Sequence, residues 1–353
     1  GAGTAAPLEA IGALHWNPGS ISALGSSELA FGIELLDVNV ELASTVGGVT
    51  SRTRGDAGVS PVPTIGWVHH IEDTPYTIGL GVNAVAGFNN NLPTDPTNVL
   101  LANGPAFASA EFLQISPTLS CQISDRLSIG VAPTITTATL TLNPLGPSVI
   151  DPTQTPGSGN RMHWGGGFQI GAFYQASDSC AVGFTYKSPQ WFEAFNFFVP
   201  GGTVQWDLDY PMILSLGTSF TGLEKWTLAA DVRYLDFANT DGFSDLGFSS
   251  VFSLALGAQY QVCSRVSLRG GYNVNANPIH DDDVLTNIFT PLIQNQNVAV
   301  GGTVRLKCNV DINAAYVYLV ENTVTGPLPI GPTDTLSNTL SAHSAILGVS
   351  VRY

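Results

Sequence analysis

Trp226-Thr227-Leu228-Ala229-Ala230-Asp231-Val232-Arg233-Tyr234-Leu235 reads as one strand whose faces are inverted. Successive strand residues point to opposite sides of a sheet. Trp226, Leu228, Ala230, Val232 and Tyr234 therefore share one face, and Thr227, Ala229, Asp231, Arg233 and Leu235 share the other. The pattern returns downstream, where Val310, Ile312, Ala314, Tyr316 and Tyr318 alternate with Asp311, Asn313, Ala315 and Val317. At the end Ala345, Leu347, Val349, Val351 and Tyr353 oppose Ser344, Gly348, Ser350 and Arg352. A soluble sandwich buries its apolar face and exposes its charges. A membrane barrel turns the apolar face to lipid and encloses the polar one. The chain therefore predicts an all-β, antiparallel transmembrane β-barrel.

Composition agrees. Of 353 residues, 44% are hydrophobic and only 11% charged, where a soluble surface needs about a quarter charged. No run reaches the ~18 apolar residues of a membrane-spanning helix, and an open sheet would leave backbone groups unpaired in hydrocarbon. A closed sheet is what remains. No charged start followed by an apolar core opens the chain, so a secretion signal is expected to have been removed. A net charge of -15 with 12 Lys and Arg argues against nucleic acid, whose phosphates need cations.

Little points to reaction chemistry. No nucleophile elbow, phosphate loop, dinucleotide fingerprint or zinc-protease motif occurs, so no enzyme and no cofactor are expected. His69 and His70 stand near Glu72 and Asp73, but adjacent strand residues diverge, and no metal site is expected. Asp281-Asp282-Asp283 reads as a solvated loop. Cys121, Cys180, Cys263 and Cys308 each lie beside a short turn. Pairing them would span roughly 10–14 Å of sheet, beyond the ~7 Å a disulfide tolerates, so free thiols are expected.

Residues 1–27 do not alternate. They suggest a short helix ended by His15-Trp16-Asn17-Pro18-Gly19, because a residue before proline avoids the helical region. Too short to fold alone, the segment needs a host cavity, and a hatch plugging the lumen supplies one. Residues 28–353 then form the barrel. Fourteen strands are expected, near 28–41, 60–71, 76–88, 107–121, 127–140, 161–175, 180–194, 203–220, 225–238, 250–263, 266–277, 296–306, 309–321 and 343–353. Short turns alternate with long loops at 42–59, 89–106, 141–160, 239–249, 278–295 and 322–342. Outer-membrane barrels place such turns on the periplasmic side and such loops outside, which puts both termini in the periplasm. Trp67, Tyr76, Tyr174, Trp226, Tyr260, Tyr272, Tyr316 and Tyr318 fall near strand ends, where amphipathic rings meet headgroups.

Several stretches resemble the FadL/TodX family of outer-membrane transporters for hydrophobic compounds. They are the Gly-Ala-rich start leading to Asn17-Pro18-Gly19, then Val182-Gly183-Phe184-Thr185-Tyr186-Lys187-Ser188, and Gly270 to Ile279 with Thr290-Pro291, Val300-Gly301-Gly302 and Ala314 to Tyr318. The resemblance implies a monomeric fourteen-stranded barrel closed by a hatch, and a kinked third strand that opens the wall towards lipid. Here that strand is 76–88, with Gly79, Gly81 and Gly87 as gate candidates; the alternative is that these glycines only make packing room. The chain departs from the family at Gly19, where alanine is usual, and at Tyr353, where phenylalanine is usual. Its 193–202 loop is too short, and its 141–160 loop too rich in proline (Pro144, Pro147, Pro152, Pro156), for a helical outer groove.

By strand parity Asp231, Arg233, Arg269, Arg305, Asp311 and Arg352 all project inward. Mixed charges so placed pair with one another, and a network gripping the hatch is expected; the alternative is a water-filled, anion-favouring pore. Farther out the inward positions turn apolar, with Leu235, Val251, Val317 and Leu319. With Leu14 and Trp16 of the hatch, and Phe88, the residues Leu235, Val317 and Leu319 are the ligand-binding candidates. The expected function is passive uptake of hydrophobic small molecules (long-chain fatty acids, alkanes or aromatic compounds), released sideways into membrane lipid. The alternatives are a scaffolding barrel within a larger outer-membrane complex and a diffusion porin.

Overall fold

The computed structural model describes residues 2–144, 161–199, 201–288, 290–307 and 309–353. Its strands are β1 (Glu28–Val46), β2 (Val49–Arg54), β3 (Val59–His70), β4 (Tyr76–Leu92), β5 (Ala106–Ser124), β6 (Leu127–Asn143), β7 (His163–Ser177), β8 (Cys180–Lys187), β9 (Trp191–Phe192), β10 (Phe195–Val199), β11 (Gly202–Trp206), β12 (Ile213–Phe220), β13 (Trp226–Leu235), β14 (Val251–Cys263), β15 (Val266–Asn275), β16 (Gln296–Lys307), β17 (Val310–Pro327) and β18 (Thr335–Arg352). All pairings are antiparallel, and β18 pairs back onto β1 from Glu28↔Arg352 to Thr45↔Thr335. Fourteen strands, β1, β3 to β8 and β12 to β18, close the wall.

The inversion holds residue by residue. Val232, Tyr316 and Val349 are 48%, 45% and 43% exposed on the outer face, while Asp231 and Arg233 are 1% and 6% exposed inside. Among the rings near strand ends, Trp226 lies 4.8 Å from Tyr260, and Trp67 Nε1 donates to Tyr353 Oη at 2.7 Å.

The long loops are where the sequence reading needs correction. Most of 42–59 is sheet: β1 runs to Val46 and turns through Gly47 and Gly48 (φ +56° and +82°) into β2. Two consecutive positive φ angles suit a two-residue hairpin, and glycine adopts them freely. Glu41 then receives Arg52 and Arg54 at 2.7 and 3.1 Å. The expected loop 322–342 shrinks to 328–334, because β17 and β18 extend beyond it. The eighth wall strand begins at Ile213 rather than near 203. The connection before it, 188–212, is therefore not short; its described residues hold no helix and include β9 and the paired β10 and β11. Of the 141–160 loop, Pro147, Pro152 and Pro156 lie outside the described residues, as does Cys308. Cys121, Cys180 and Cys263 are free thiols.

The strand tips and loops at this end pack into a roof. Leu42, Leu92, Leu101, Phe248, Ile288, Ile293, Leu328 and Leu336 form one buried apolar cluster, each such side chain contributing about 1.5–3 kcal/mol of burial. At the other end the turns stay short.

Inside the barrel, the N-terminal segment folds as α1 (Ala10–Trp16) followed by a 3-10 helix (Pro18–Ala23). Asn17 between them is extended, as its place before Pro18 requires. Ala10, Ala13 and Leu14 share a helix face and pack with Ile21, Leu24 and the wall residue Val68.

Candidate functional site

The N-terminal segment is seated by backbone contact. Asn17 donates from Nδ2 to Thr4 O and to Ala172 O of β7, at 2.8 and 2.9 Å, and its Oδ1 accepts from Gly19 N at 2.9 Å. Gly19 O in turn accepts from Ser128 Oγ at 2.7 Å and Ser120 Oγ at 3.2 Å. The wall is bare where this bend touches it. A Cβ on Gly130 would stand 2.3 Å from Pro18 C and O, and one on Gly171 would stand 2.1 Å from Asn17 Oδ1. Gly19 is under the same constraint, since its own Cβ would meet Gly171 O at 2.7 Å. The glycine found at position 19 thus has a steric reason here.

The inward charges divide into two clusters rather than one network. In the first, Asp231 Oδ2 accepts from Gly3 N (2.8 Å), Thr4 N (3.0 Å), Thr4 Oγ1 (2.8 Å) and Arg233 Nη2 (2.7 Å). The second joins Arg305 to Asp311 at 2.9 Å, Arg352 to Asp311, and Arg352 to Glu28 at 3.9 Å. Glu28 reaches the N-terminal segment through Ala10 N, at 3.2 Å. Arg269 joins neither ion pair and bonds Gln259 at 2.8 Å. β13 and β17 are separated around the wall by three other strands, too far for one network. Replacing Asp231 with alanine removes every one of the first cluster's bonds, and losing one partner of a buried pair costs about 3–5 kcal/mol. The expected result is an N-terminal segment that chymotrypsin cleaves in the folded barrel. Resistance equal to that of the parent chain would show that the bend alone holds the seat.

Two chambers lie above the bend. The lower, about 400 Å³, has His15, Trp16, Lys187 and Arg233 at its floor and Gln114, Asn273 and Asn297 on its walls. The Arg233 guanidinium sits 3.5 Å from the Trp16 ring centroid and Lys187 Nζ sits 5.0 Å from it, a cation–π arrangement that fixes the indole. Among the described residues Lys187 has no ion-pair partner, and it is buried. Burial, then Lys187 and Arg233, hold the His15 imidazole well below its ordinary range, so it stays neutral. The upper chamber, about 250 Å³, is lined by Phe88, Phe112, Leu140, Leu235, Phe237, Phe243 and Phe248. It shares Val85, Tyr210, Leu235, Phe237, Leu292 and Gln294 with the lower one.

The candidate residues distribute unevenly over this geometry. Trp16 faces the lower chamber, Leu235 both, and Phe88 the upper. Leu14 does not reach either: one position before His15 on the helix, it turns into the buried cluster against the wall. Val317 lines a separate cavity of about 320 Å³ beside Leu8 and Glu9, and Leu319 lines neither chamber. Both sit on β17, which is nearly opposite β8 in the wall and three intervening strands from β4. Gly79 and Gly81 are not at an irregularity. A Cβ on Gly79 would meet Leu14 Cδ2 at 2.6 Å, so Gly79 clears room for the helix, whereas one on Gly81 would first meet Ser116 Oγ of the wall at 2.7 Å. The third wall strand is instead interrupted at Val85, where pairing with β5 slips between Ala84↔Leu113 and Ala86↔Phe112. Gly87 follows this bulge on the outer face.

At that bulge the wall parts. β3 pairs with β1 along Val59 to Val68 but with β4 only from Thr64 to His70. A cavity of about 340 Å³ opens between their edges, lined by Pro61, Pro63, Val85, Gly87, Phe88 and Glu111 among others. It shares Val85, Ala86, Gly87, Phe88 and Phe112 with the upper chamber. Tyr210 Oη donates to Val85 O at 3.2 Å, and burial pushes this phenol up to about 12, which keeps it a donor. Lys187 and Tyr210 were missed from sequence. Parity in Val182 to Ser188 puts Lys187 inward; nothing local marks Tyr210.

Comparison with known proteins agrees with this architecture. Pseudomonas putida TodX, described as a toluene transporter, superposes with a TM-score of 0.76 at 15% identity, over 97% of this chain and 94% of that one. A Pseudomonas aeruginosa FadL homologue gives 0.74 at 15% identity over 100% and 96%. Ralstonia pickettii TbuX, also described as a toluene transporter, gives 0.67 at 14% over 97% and 94%. No curated protein matches in sequence. The family model described as outer membrane protein transport protein (OMPP1/FadL/TodX) matches residues 1–353. The chain belongs to this family of outer-membrane transport proteins for hydrophobic compounds.

Proposed function

We propose that this barrel takes up hydrophobic small molecules passively, with long-chain fatty acids as its best ligands among fatty acids, alkanes and aromatic compounds. The observation that carries this is the stacking of the two chambers: an apolar one lined by phenylalanines above a polar one whose floor holds Lys187, which has no ion-pair partner among the described residues. A chain buried in the first, at roughly 25 cal/mol per Å², lets its carboxylate reach the second. In this reading the loops lie outside, the short turns and both termini lie in the periplasm, and the seated segment is a hatch. Phe243, Leu246 and Phe248 of the roof line the upper chamber, so a ligand arriving from outside passes between the loops that carry them. It leaves sideways, through the parted wall at Val85, into lipid. The barrel works as a monomer and needs no cofactor.

The test is uptake of labelled fatty acid, alkane and aromatic probes by cells with and without the protein. Expression should raise fatty acid uptake most, and Leu235→Trp, which fills both chambers, should reduce it at least tenfold. Equal uptake with and without the protein would refute the reading.

A further inference from the structure

The parted wall is bounded on every side. Below it, β3 and β4 rejoin at Thr64↔Asn83. Above it, where the chain leaves β2 before β3, Asp56 N donates to Asn91 O at 2.7 Å, Asn91 Nδ2 to Asp56 O at 3.0 Å and Asn89 Nδ2 to Ala57 O at 3.1 Å. The gap is thus a framed window and not a frayed seam. An open strand edge facing hydrocarbon is costly, because its backbone groups have no water to bond. Two such neighbouring edges should zip together unless something removes their donors and acceptors.

Each lip has a feature that does so. On β3, Pro61 and Pro63 are two residues apart, so their nitrogens point to the same edge. Both stay in register with β1, at Leu35 and Ile33, and proline enters a sheet with its missing N–H on the unpaired side. The lip facing β4 has therefore lost two successive donors. On β4, the bulged Val85 offers a carbonyl outside the ladder, and Tyr210 Oη takes it from within the lumen. The donor missing on one side and the acceptor occupied on the other stand across the same opening.

We propose that Pro61 and Pro63 on one lip and Tyr210 on the other are positioning residues that hold the window permanently open. The transport consequence rests on the lateral release proposed above; the structural one does not. The window's inner end adjoins the phenylalanine-lined chamber, with which it shares Val85, Ala86, Gly87, Phe88 and Phe112.

The experiment uses the full chain, with the double variant Pro61→Thr/Pro63→Thr and, separately, Tyr210→Phe. Three quantities are read: amide hydrogen exchange at residues 85–88, which carry an N–H in parent and variant alike, binding of a long-chain fatty acid in detergent, and uptake of that acid by cells. In the double variant, restored donors should let the edges pair, slowing exchange at these amides at least tenfold. Uptake should fall tenfold or more while binding in detergent stays within twofold. Tyr210→Phe should release the Val85 carbonyl, and its uptake should fall severalfold further than its binding in detergent. Exchange unchanged in the double variant would overturn the role of the prolines. Slowed exchange with undiminished uptake would keep the frame and refute lateral release instead. Tyr210→Phe equal to the parent in every readout would remove the tyrosine from the frame.

Discussion

Placing valine at Gly130 and Gly171 together is expected to convert a closed barrel into a steadily conducting one. A Cβ at either position comes closer than 3 Å to backbone or rigid ring atoms of the Asn17-Pro18 bend, and Pro18 cannot rotate away because its ring fixes φ. Valine favours the strand that carries it, so the wall should fold while the seat is lost. In planar bilayers the double variant should show a sustained conductance where the parent is silent, with unchanged β circular dichroism. A folded double variant that stays silent would mean the bend is not what closes the lumen.

The second large effect concerns ligand choice. Lys187→Met keeps the length of the side chain and removes the charge beside Trp16. A hydrogen bond to a charged group contributes about 1.5–3 kcal/mol, so affinity for a long-chain carboxylate should fall roughly 10- to 100-fold, each 1.36 kcal/mol being a factor of ten. An alkane of the same length, or an aromatic hydrocarbon, should bind as before. Titrations in detergent by tryptophan fluorescence, with Trp16 at the chamber floor, would measure both. A parallel loss for acid and alkane would assign Lys187 to packing, and no loss for either would remove the carboxylate from the lower chamber.

How far the chain could be read depended on the range of the physics. Parity is local: Val232 and Arg233 settle which face meets lipid with no knowledge of their neighbours, and the structure agrees. So does the helix break at Pro18. Register is not local. Leu235, Val317 and Leu319 share an inward parity, but which inward positions meet one chamber depends on strand tilt and stagger, and only Leu235 does. Gly47-Gly48 was legible as a hairpin turn and was obscured by the polar composition around it. The glycines facing the hatch were visible as glycines; their reason, at Gly79 and Gly130 alike, is the backbone and side chains laid against them. Leu14 and Trp16 show the same limit on a helix, where two residues of separation decide between buried cluster and chamber.

The pairing of β1 with β18 joins the two ends of the chain along Glu28 to Thr45, whereas β3 and β4 hold each other only from Thr64 to His70. A cylinder welded so firmly at its last joint, with its shortest joint close by, will not come apart where it was closed. Heat or mechanical pulling should start the tear at Thr64–Asn83 and run it downward, leaving the first and last strands still clasped.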